Sequence, residues 1–505
     1  MGPCGMDTPS FREDVLAAYA GGPERIVGLV ERLVAGFGEQ LERVVAQVAV
    51  LENENTALRS ENQALRGRLE KDSHNSSKPP SSDGPGTPKR VPKSLRGVSG
   101  RRPGGQPGHP GVSLTLVEQP DAVVVHQPSA CTACGHDLAA APVLRTERRQ
   151  LIDLPVLRAQ VVEHQAETRT CPGCGQATTA PFPADVRAPV QYGPGVATLA
   201  VYLHQEHLLP VERTGRVLGE VFGCEISGGT LERMVGQCAD AVADVVTAIK
   251  QAVIAAAILH SDETGLSLNG KPAWLHVAST DRLTYYALHP KRGRKALDAL
   301  GVLPTVRGRV VHDGLWSYWH YEHCAHARCN AHHLRELTFV EEQLKQPWAG
   351  SLKTLLLEIK EAADRARADG VPALPPEAQQ GWTVRYTDLV AEGLSLNPPA
   401  PTTGKIGRPK RSPAGNLALR LSTHQAETLA FMTDLRVPFD NNQAERDLRM
   451  MKVRQKISGC FRSSTAGARF CQIRSYVSTL RKQGLPILAS LADAFRGHPP
   501  VPTLA

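Results

Sequence analysis

The sequence contains no run of about 18 apolar residues, the length that a membrane-spanning helix needs, and no charged segment leading into an apolar one between Met1 and Tyr19 that would mark an export signal. A soluble, cytoplasmic protein without a membrane partner is expected. An even, regularly spaced cysteine set is also missing. The eleven cysteines are an odd number, of which four form two Cys-x-x-Cys pairs and the rest are scattered. That pattern favours reduced thiols and metal binding over a secreted disulfide framework. Acidic residues are nearly absent from two stretches. Between Ser73 and Gly111, Asp83 is the single acid against Lys78, Lys89, Arg90, Lys93, Arg96, Arg101 and Arg102, and between Arg446 and Lys482 ten basic residues face Asp447 alone. Together with a formal net charge of +8, these clusters point to a polyanionic partner. At 505 residues the chain exceeds what one core organises, so several domains are expected.

The chain is strongly segmented. From Val30 to Leu69 a seven-residue repeat places Val30, Phe37, Val44, Leu51, Leu58 and Leu65 on one position and Val34, Leu41, Val48, Asn55, Asn62 and Leu69 on its partner. This is a coiled-coil seam in which Asn55 and Asn62, at a positions, would fix register and oligomer number; a homo-oligomer is expected, and a long helix packed on its own protein is the plainer alternative. The Pro, Gly, Ser and basic residues of 73–112 form no core and read as a flexible linker suited to phosphate contact. Cys131-Thr-Ala-Cys134 and Cys171-Pro-Gly-Cys174 are each followed by glycine, Gly135 and Gly175. Paired knuckles of this form hold one structural zinc tetrahedrally, and the residues between them leave room for a hairpin over Val156 to Ala166. Pro210, the amphipathic segment Val211 to Phe222, the turn Gly223 to Ser227 and a second helix from about Gly229 outline a helix-turn-helix, whose second helix could enter a major groove of DNA; a helical pair of an ordinary core is the equal alternative.

Three short segments carry the chemistry: Ser261-Asp262-Glu263-Thr264, His312-Asp313-Gly314 and Asn441-Asn442-Gln443-Ala444-Glu445-Arg446. The apolar run Val253 to Leu259 predicts a strand ending close to Asp262. Ala273 to Ala278 and Thr284 to Leu288 alternate as strands, set off by the turns Asn269-Gly270 and Asp281-Arg282. Arg294 to Leu300 reads as a short helix and Arg309 to His312 as a strand ending at Asp313. Strand, strand, strand, helix, strand is the order of a ribonuclease-H-like core with acids after its first and fourth strands. A helix after Asp440, with Asn441 or Asn442 near its cap, would bring Glu445 beside them; on the residues alone Glu445 ranks only slightly ahead of Asp440 and Asp447. Glu263, adjacent to Asp262 on a strand, is expected to point the other way. Three gathered carboxylates suit Mg2+ or Mn2+, two of which, roughly 3.5 to 4 Å apart, would polarise a scissile phosphate. Arg449 lies one turn from Glu445, and Arg446, Arg449, Lys452 and Arg454 are candidate DNA contacts. Arg408, within Lys405-Ile-Gly-Arg-Pro-Lys-Arg411, is another, through a likeness to the core of an AT-hook, with a plain basic loop as the equal alternative. The cluster His323, Cys324, His326, Cys329, His332 and His333 reads mainly as buried thiols and backbone-bonded histidines, with a second metal site as the alternative.

In this order these pieces resemble the transposase of the IS66 family of bacterial insertion sequences: Asn75-Ser-Ser-Lys-Pro-Pro-Ser-Ser-Asp83 after the heptads, the two cysteine pairs, Asp262-Glu-Thr264, His312-Asp-Gly314, Cys329-Asn-Ala-His332 and Asn441-Asn-Gln-Ala-Glu-Arg446. The resemblance spans nearly the whole chain. It implies a DDE-type transposase with Asp262, Asp313 and Glu445 as metal ligands, a zinc-binding region, a helical insertion between the last two acids, and the frequent company of two small accessory proteins of the same element. One departure is visible, since many members have Cys-Trp-Ala-His followed by paired arginines where this chain has Cys329-Asn-Ala-His332-His333-Leu-Arg335. The expected architecture is multidomain α+β: a helical coiled-coil region at 1–72, the basic linker at 73–112, a zinc-binding region at 113–190, a helix-turn-helix-like region at 191–251, a ribonuclease-H-like α/β catalytic core at 252–345 and 439–505, and its insertion at 346–438. The expected function is metal-dependent cleavage and transfer of DNA strands at element ends, with Mg2+ or Mn2+ at the acids and zinc at Cys131, Cys134, Cys171 and Cys174. The alternatives are a dimeric zinc-containing DNA-binding regulator and a nuclease of the same fold that cuts without joining.

Overall fold

The computed structural model describes residues 8–69, 75, 114–399 and 411–504. Arg408 and the basic residues of the linker, Lys78 to Arg102, lie outside them. Two helices open the chain, α1 (Thr8–Ala20) and the 47-residue α2 (Pro23–Leu69). Along α2 the seam residues Val30, Val34, Phe37, Leu41, Val44, Val48 and Leu51 are all exposed, so no other described residues cover the stripe. Among the described residues no helix is long and apolar enough to cross a membrane.

Residues 114–192 run mostly extended and exposed. The short antiparallel pair β1 (Thr168–Thr170) and β2 (Ala177–Thr179) brackets the second knuckle. The hairpin expected over Val156 to Ala166 does not form: this stretch contains no strand, and Val156 and Val161 stand in solvent. The stretch has no Gly, Asn, Asp or Pro to make a tight turn, and its Ala159 N–H donates instead to the Phe222 carbonyl (2.8 Å).

Next come α3 (Pro194–Val201), a π-helical turn at Tyr202–Glu206, α4 (Val211–Phe222), α5 (Gly228–Ala241) and α6 (Ala243–Ala255). Gly223, with φ of +64°, ends α4, and the Ser227 hydroxyl caps α5 by accepting the Thr230 N–H (3.1 Å). The expected helix pair is therefore present. One face of α5, comprising Leu231, Met234, Val235 and Cys238, is buried in the main core, which leaves Arg233, Gln237 and Asp240 exposed.

The sheet comprises β3 (Ile258–Leu268), β4 (Lys271–Ser279), β5 (Thr284–His289), then α7 (Arg294–Leu300), β6 (Arg309–His312) and β7 (Ala325–Arg328). Its order is β5-β4-β3-β6-β7; β3, β4 and β5 are antiparallel, and β6 and β7 continue parallel to β3. Asn269 and Gly270 both have positive φ, 49° and 74°, the left-handed pair that a two-residue hairpin requires. The first strand starts later than expected and runs past Asp262. Val253 ends the helical spacing Val246, Ile249, Val253 on the buried side of α6, so the apolar run divides between helix and strand and Asp262 falls inside β3 rather than at its end.

The helices α8 (Asn330–Gln343), α9 (Pro347–Ala368), α10 (Pro376–Ser395) and α11 (Pro413–Thr423), with the single turns α12 (Gln425–Thr428) and α13 (Ala430–Thr433), build a core of their own around Trp348, Leu352 and Tyr386 that reaches Val311 and Ala327 of the sheet. The chain then returns through α14 (Asn442–Ile457), α15 (Ser464–Lys482) and α16 (Ile487–Phe495). One side of the sheet packs Leu275, Val277 and Tyr286 against Leu448, Met451 and Phe470 of α14 and α15; Leu259 and Val310 belong to the main core with α5, α6, α15 and α16.

Gly308 sets the start of β6. A Cβ there would overlap the carbonyl oxygens of Ala256 and Ala257, and the next residue, Arg309, donates its N–H to the Ala257 carbonyl (2.8 Å). Gly308→Val should push β6 away from β3 and cost about 1–3 kcal/mol, read as an earlier urea midpoint with an unchanged slope; an unchanged midpoint would contradict this close approach.

Candidate active site

In the parallel pair, Ile258, Leu259 and His260 stand opposite Arg309, Val310 and Val311. Carried two residues further, the same offset sets Asp262 beside Asp313. Ligand oxygens of Asp262, Glu263 and Asp313 lie within 4.8 Å of one another. Glu263 was expected to face away, yet its carboxylate joins the group. Its side chain is fully buried, with Oε1 accepting from Arg292 Nε (2.8 Å) and Oε2 from the Tyr318 hydroxyl (2.9 Å). Asp262 Oδ1 accepts the Glu263 N–H (2.8 Å), and Asp313 Oδ1 accepts the Leu315 N–H (2.8 Å).

Electrostatics mark the group as short of positive charge. Burial, followed by the charges of Glu263 and Asp313, pushes the Asp262 carboxyl well above its ordinary 3.8. Burial and the Asp313 charge also raise Glu263, against the bonds from Arg292 and Tyr318. Partly buried carboxylates crowded in this way are what a divalent cation with oxygen ligands neutralises, so the residues fit such an ion.

The loop carrying Asp313 is fixed by a directed chain of hydrogen bonds. The Gly314 N–H donates to His312 Nδ1 (3.0 Å), which leaves the ring proton on Nε2 to donate to His326 Nδ1 (3.1 Å); His326 Nε2 in turn donates to the Tyr321 carbonyl (3.1 Å). Burial holds His312 neutral, well below 6.5, and its ring stacks on Tyr318 at 4.5 Å. Gly314 has φ of +93°, and a Cβ there would overlap the Arg328 guanidinium, so glycine is required on both counts.

Glu445 reaches the region from the first turn of α14. Asn441 positions that turn: its Nδ2 donates to the Ser261 carbonyl (2.9 Å), its Oδ1 accepts from His260 Nδ1 (2.8 Å), and its N–H donates to Cys329 Sγ (3.1 Å). The side chain of Asn441 thus ties α14 to β3 and makes no cap; Asp440 Oδ1 accepts the Asn442 N–H instead (3.0 Å). Asp447 is engaged with Lys482 (2.8 Å) and Gln443. Both competitors of Glu445 therefore have structural partners. Glu445 contributes to raising Asp262, but its carboxylate groups with Cys329 and His332, ligand atoms of the three lying within 4.8 Å of one another. The rest of the His and Cys cluster is dispersed: His323 bonds the Leu303 carbonyl, Cys324 the Tyr321 carbonyl and His333 the Asn330 side chain.

On α14, Arg446, Arg449 and Lys452 are exposed. Arg454 is not, for its guanidinium stacks 3.9 Å from the Phe461 ring and donates to the Gly459 carbonyl (2.9 Å); it holds the turn after α14 rather than facing solvent.

The two knuckles are near copies. Cys131 N–H donates to the His136 carbonyl and Gly135 N–H to the Cys131 carbonyl, both at 2.9 Å; the corresponding bonds at Cys171, Gln176 and Gly175 are 2.9 and 2.8 Å. Gly135 and Gly175 have φ of +74° and +73°. Backbone N–H groups of Ala133 and Cys134 lower the Cys131 thiol, and those of Gly173 and Cys174 lower Cys171, which favours the thiolates that zinc takes. The four thiols are not among the groups in which three ligand atoms approach within 4.8 Å; each pair is formed separately.

The model of the transposase IS66 family matches residues 189–469, from the helices before the sheet through to α15. This chain belongs to the IS66 transposase family. The zinc-finger binding domain of the IS66 transposase matches 128–175, which contains both knuckles, and a family of unknown function matches 24–115. No curated protein matches the chain. This IS66-family protein is thus a mixed helical and sheet, multidomain transposase with a zinc-finger domain that supports a structural zinc.

The raised Asp262 carboxyl has a consequence for stability. Because the folded protein holds that proton more tightly than the unfolded chain, stability without divalent ions should fall as pH rises from about 3.8 through the raised folded value. Asp262→Asn removes the charge, so in chelator its thermal midpoint should exceed wild type by a few degrees near pH 7, the gap closing toward pH 4 (about the unfolded value). An equal gap at both pH values would contradict the electrostatic cause.

Proposed function

We propose that this transposase cleaves and joins DNA strands at the ends of its element, with Asp262, Asp313 and Glu445 as the metal-binding acids of a ribonuclease-H-like core. The observation that carries the reading is the register that aligns Asp262 with Asp313 across β3 and β6, with α14 bringing Glu445 from the far side of a helical insertion. A sheet of three antiparallel strands extended by two parallel ones, with Asp262 inside β3 and Asp313 just after β6, supports that class. When bound, Mg2+ or Mn2+ would supply Lewis acidity to the attacking and leaving oxygens of a phosphodiester. Asp262 and Asp313 would each hold it through the carboxylate oxygen that no donor among the described residues occupies. Buried His312, neutral and wired to Gly314, keeps Asp313 in place without adding a competing positive charge. Arg446, Arg449 and Lys452 give the exposed side of α14 three cations for the DNA backbone, and Cys131, Cys134, Cys171 and Cys174 would hold the zinc.

The uncovered seam of α2 suits a second copy of the chain, since an apolar stripe of this length is rarely left in water. Replacing Leu51 and Leu58 together with Lys should halve the mass measured by light scattering; an unchanged mass would remove the coiled coil as the oligomer contact. For the chemistry, Asp262→Ala, Asp313→Ala and Glu445→Ala should each lower Mg2+-dependent cleavage of the element's end DNA by at least about 10³-fold, with DNA binding retained. Full cleavage by the Asp313 variant would sink the reading. Cleavage without joining in a strand-transfer assay would favour the nuclease alternative.

A further inference from the structure

We propose that Arg292 is a phosphate-binding residue of this site, and that Glu263 is not a metal ligand but the anchor that aims it. The inference rests on the reading of Asp262 and Asp313 as the place where the scissile phosphodiester is held. The three acids of the group differ in what they have left to offer. Asp262 and Asp313 each have one oxygen bonded to a backbone N–H and the other without a protein donor among the described residues, whereas Glu263 has both oxygens taken, by Arg292 Nε and the Tyr318 hydroxyl. Tyr318 is itself buried, stacked on His312 and bonded to Ser261 Oγ (3.2 Å). The Glu263 carboxylate is therefore held from two sides and its orientation is set.

Arg292 shows the opposite distribution. Its side chain is 41% exposed while that of Glu263 is 0% exposed. It commits Nε to the carboxylate, and its guanidinium lies 4.9 Å from the Trp274 ring. Among the described residues its two terminal nitrogens have no protein acceptor. A planar guanidinium fixed by one edge and one face presents its remaining N–H groups as a fork, which matches two phosphate oxygens. The loop that carries it is also tied down, because the Lys291 N–H donates to His289 Nδ1 (3.0 Å) and the Lys291 carbonyl accepts from His276 Nε2 (3.4 Å). The charge balance points the same way: a phosphodiester approaching Asp262, Glu263 and Asp313 meets crowded negative charge, and Arg292 is the cation bonded into that group. As a device for stability alone, a buried carboxylate paired with a half-exposed cation gains little.

The test uses the full-length protein, supercoiled plasmid for Mg2+-dependent nicking, and a fluorescent duplex for binding without divalent ions. Arg292→Ala should reduce nicking by about 10²-fold or more and lower the slope of log affinity against log salt by about one, with the Mg2+ concentration for half-maximal nicking unchanged. Arg292→Lys should not restore nicking, since one ammonium cannot bond Glu263 and fork to a phosphate together. Glu263→Gln should lower nicking, and combined with Arg292→Ala should add no further loss. The proposal is overturned if the two losses multiply, if the Arg292→Ala salt slope equals wild type, or if Glu263→Gln abolishes the rise in thermal midpoint that Mg2+ gives the wild type, as loss of a ligand would. Should Glu263→Gln fail to fold, Arg292→Ala and Arg292→Lys, at an exposed position, still decide it. Nicking by Asp262→Ala would instead remove the underlying reading, and the salt slope of the Arg292 variants would stand apart from that result.

Discussion

Backbone pairing of Ile258 to His260 with Arg309 to Val311 determines where Asp262 and Asp313 stand, and Gly308 is what lets the two strands begin so close together. A strand slipped by one residue turns its side chains to the opposite face, so the acids would part even if every contact elsewhere survived. The remaining features of the site preserve this alignment at its far end. Gly314 turns the chain in a conformation that other residues resist, the His312 and His326 rings tie that turn to Tyr321, and Arg328 fills the space beside it. Asn441 then fastens the helix of Glu445 to the same strand as Asp262, bridging about 180 residues of sequence with one side chain.

This alignment has an electrostatic cost. Carboxylates drawn out of water beside one another oppose folding unless a cation offsets them. Among the described residues Arg292 offsets Glu263, and Asp262 has no comparable partner. Elsewhere the protein neutralises its buried charges: Glu206 is paired with Arg474 and Arg481, and Asp447 with Lys482. The contrast separates these structural ion pairs from the carboxylates of Asp262, Glu263 and Asp313, which share Arg292 as their paired cation among the described residues.

Much of this was legible in the sequence. The hairpin at Asn269-Gly270, the short helix Arg294–Leu300 and the strand Arg309–His312 announce themselves through turn chemistry and alternation, and the twin Cys-x-x-Cys-Gly knuckles through left-handed glycines. What was not legible depends on contacts distant in sequence. Alternation along a strand says that Glu263 opposes Asp262, but says nothing of an Asp262 side chain that folds back onto the Glu263 N–H, or of Arg292 and Tyr318 meeting that carboxylate from other segments. Asn441 looks like a helix cap by position and serves as a clamp, because His260 and Ser261 compete for its amide. Arg454 belongs to a basic run and is nevertheless spent on Phe461. The division of Val253 to Leu259 between helix and strand is hidden for a simpler reason, since an unbroken apolar run carries no period.

Asp262 and Asp313 are proposed to form one cation site. Diffraction from crystals of the full-length protein soaked in Mn2+, recorded for the anomalous signal of manganese, tests this directly. The prediction is a peak within about 2–2.5 Å of an oxygen from each of the two acids, lost in Asp313→Asn. Manganese bound only at Cys329, His332 and Glu445, or no peak between Asp262 and Asp313 at saturating ion, would contradict it.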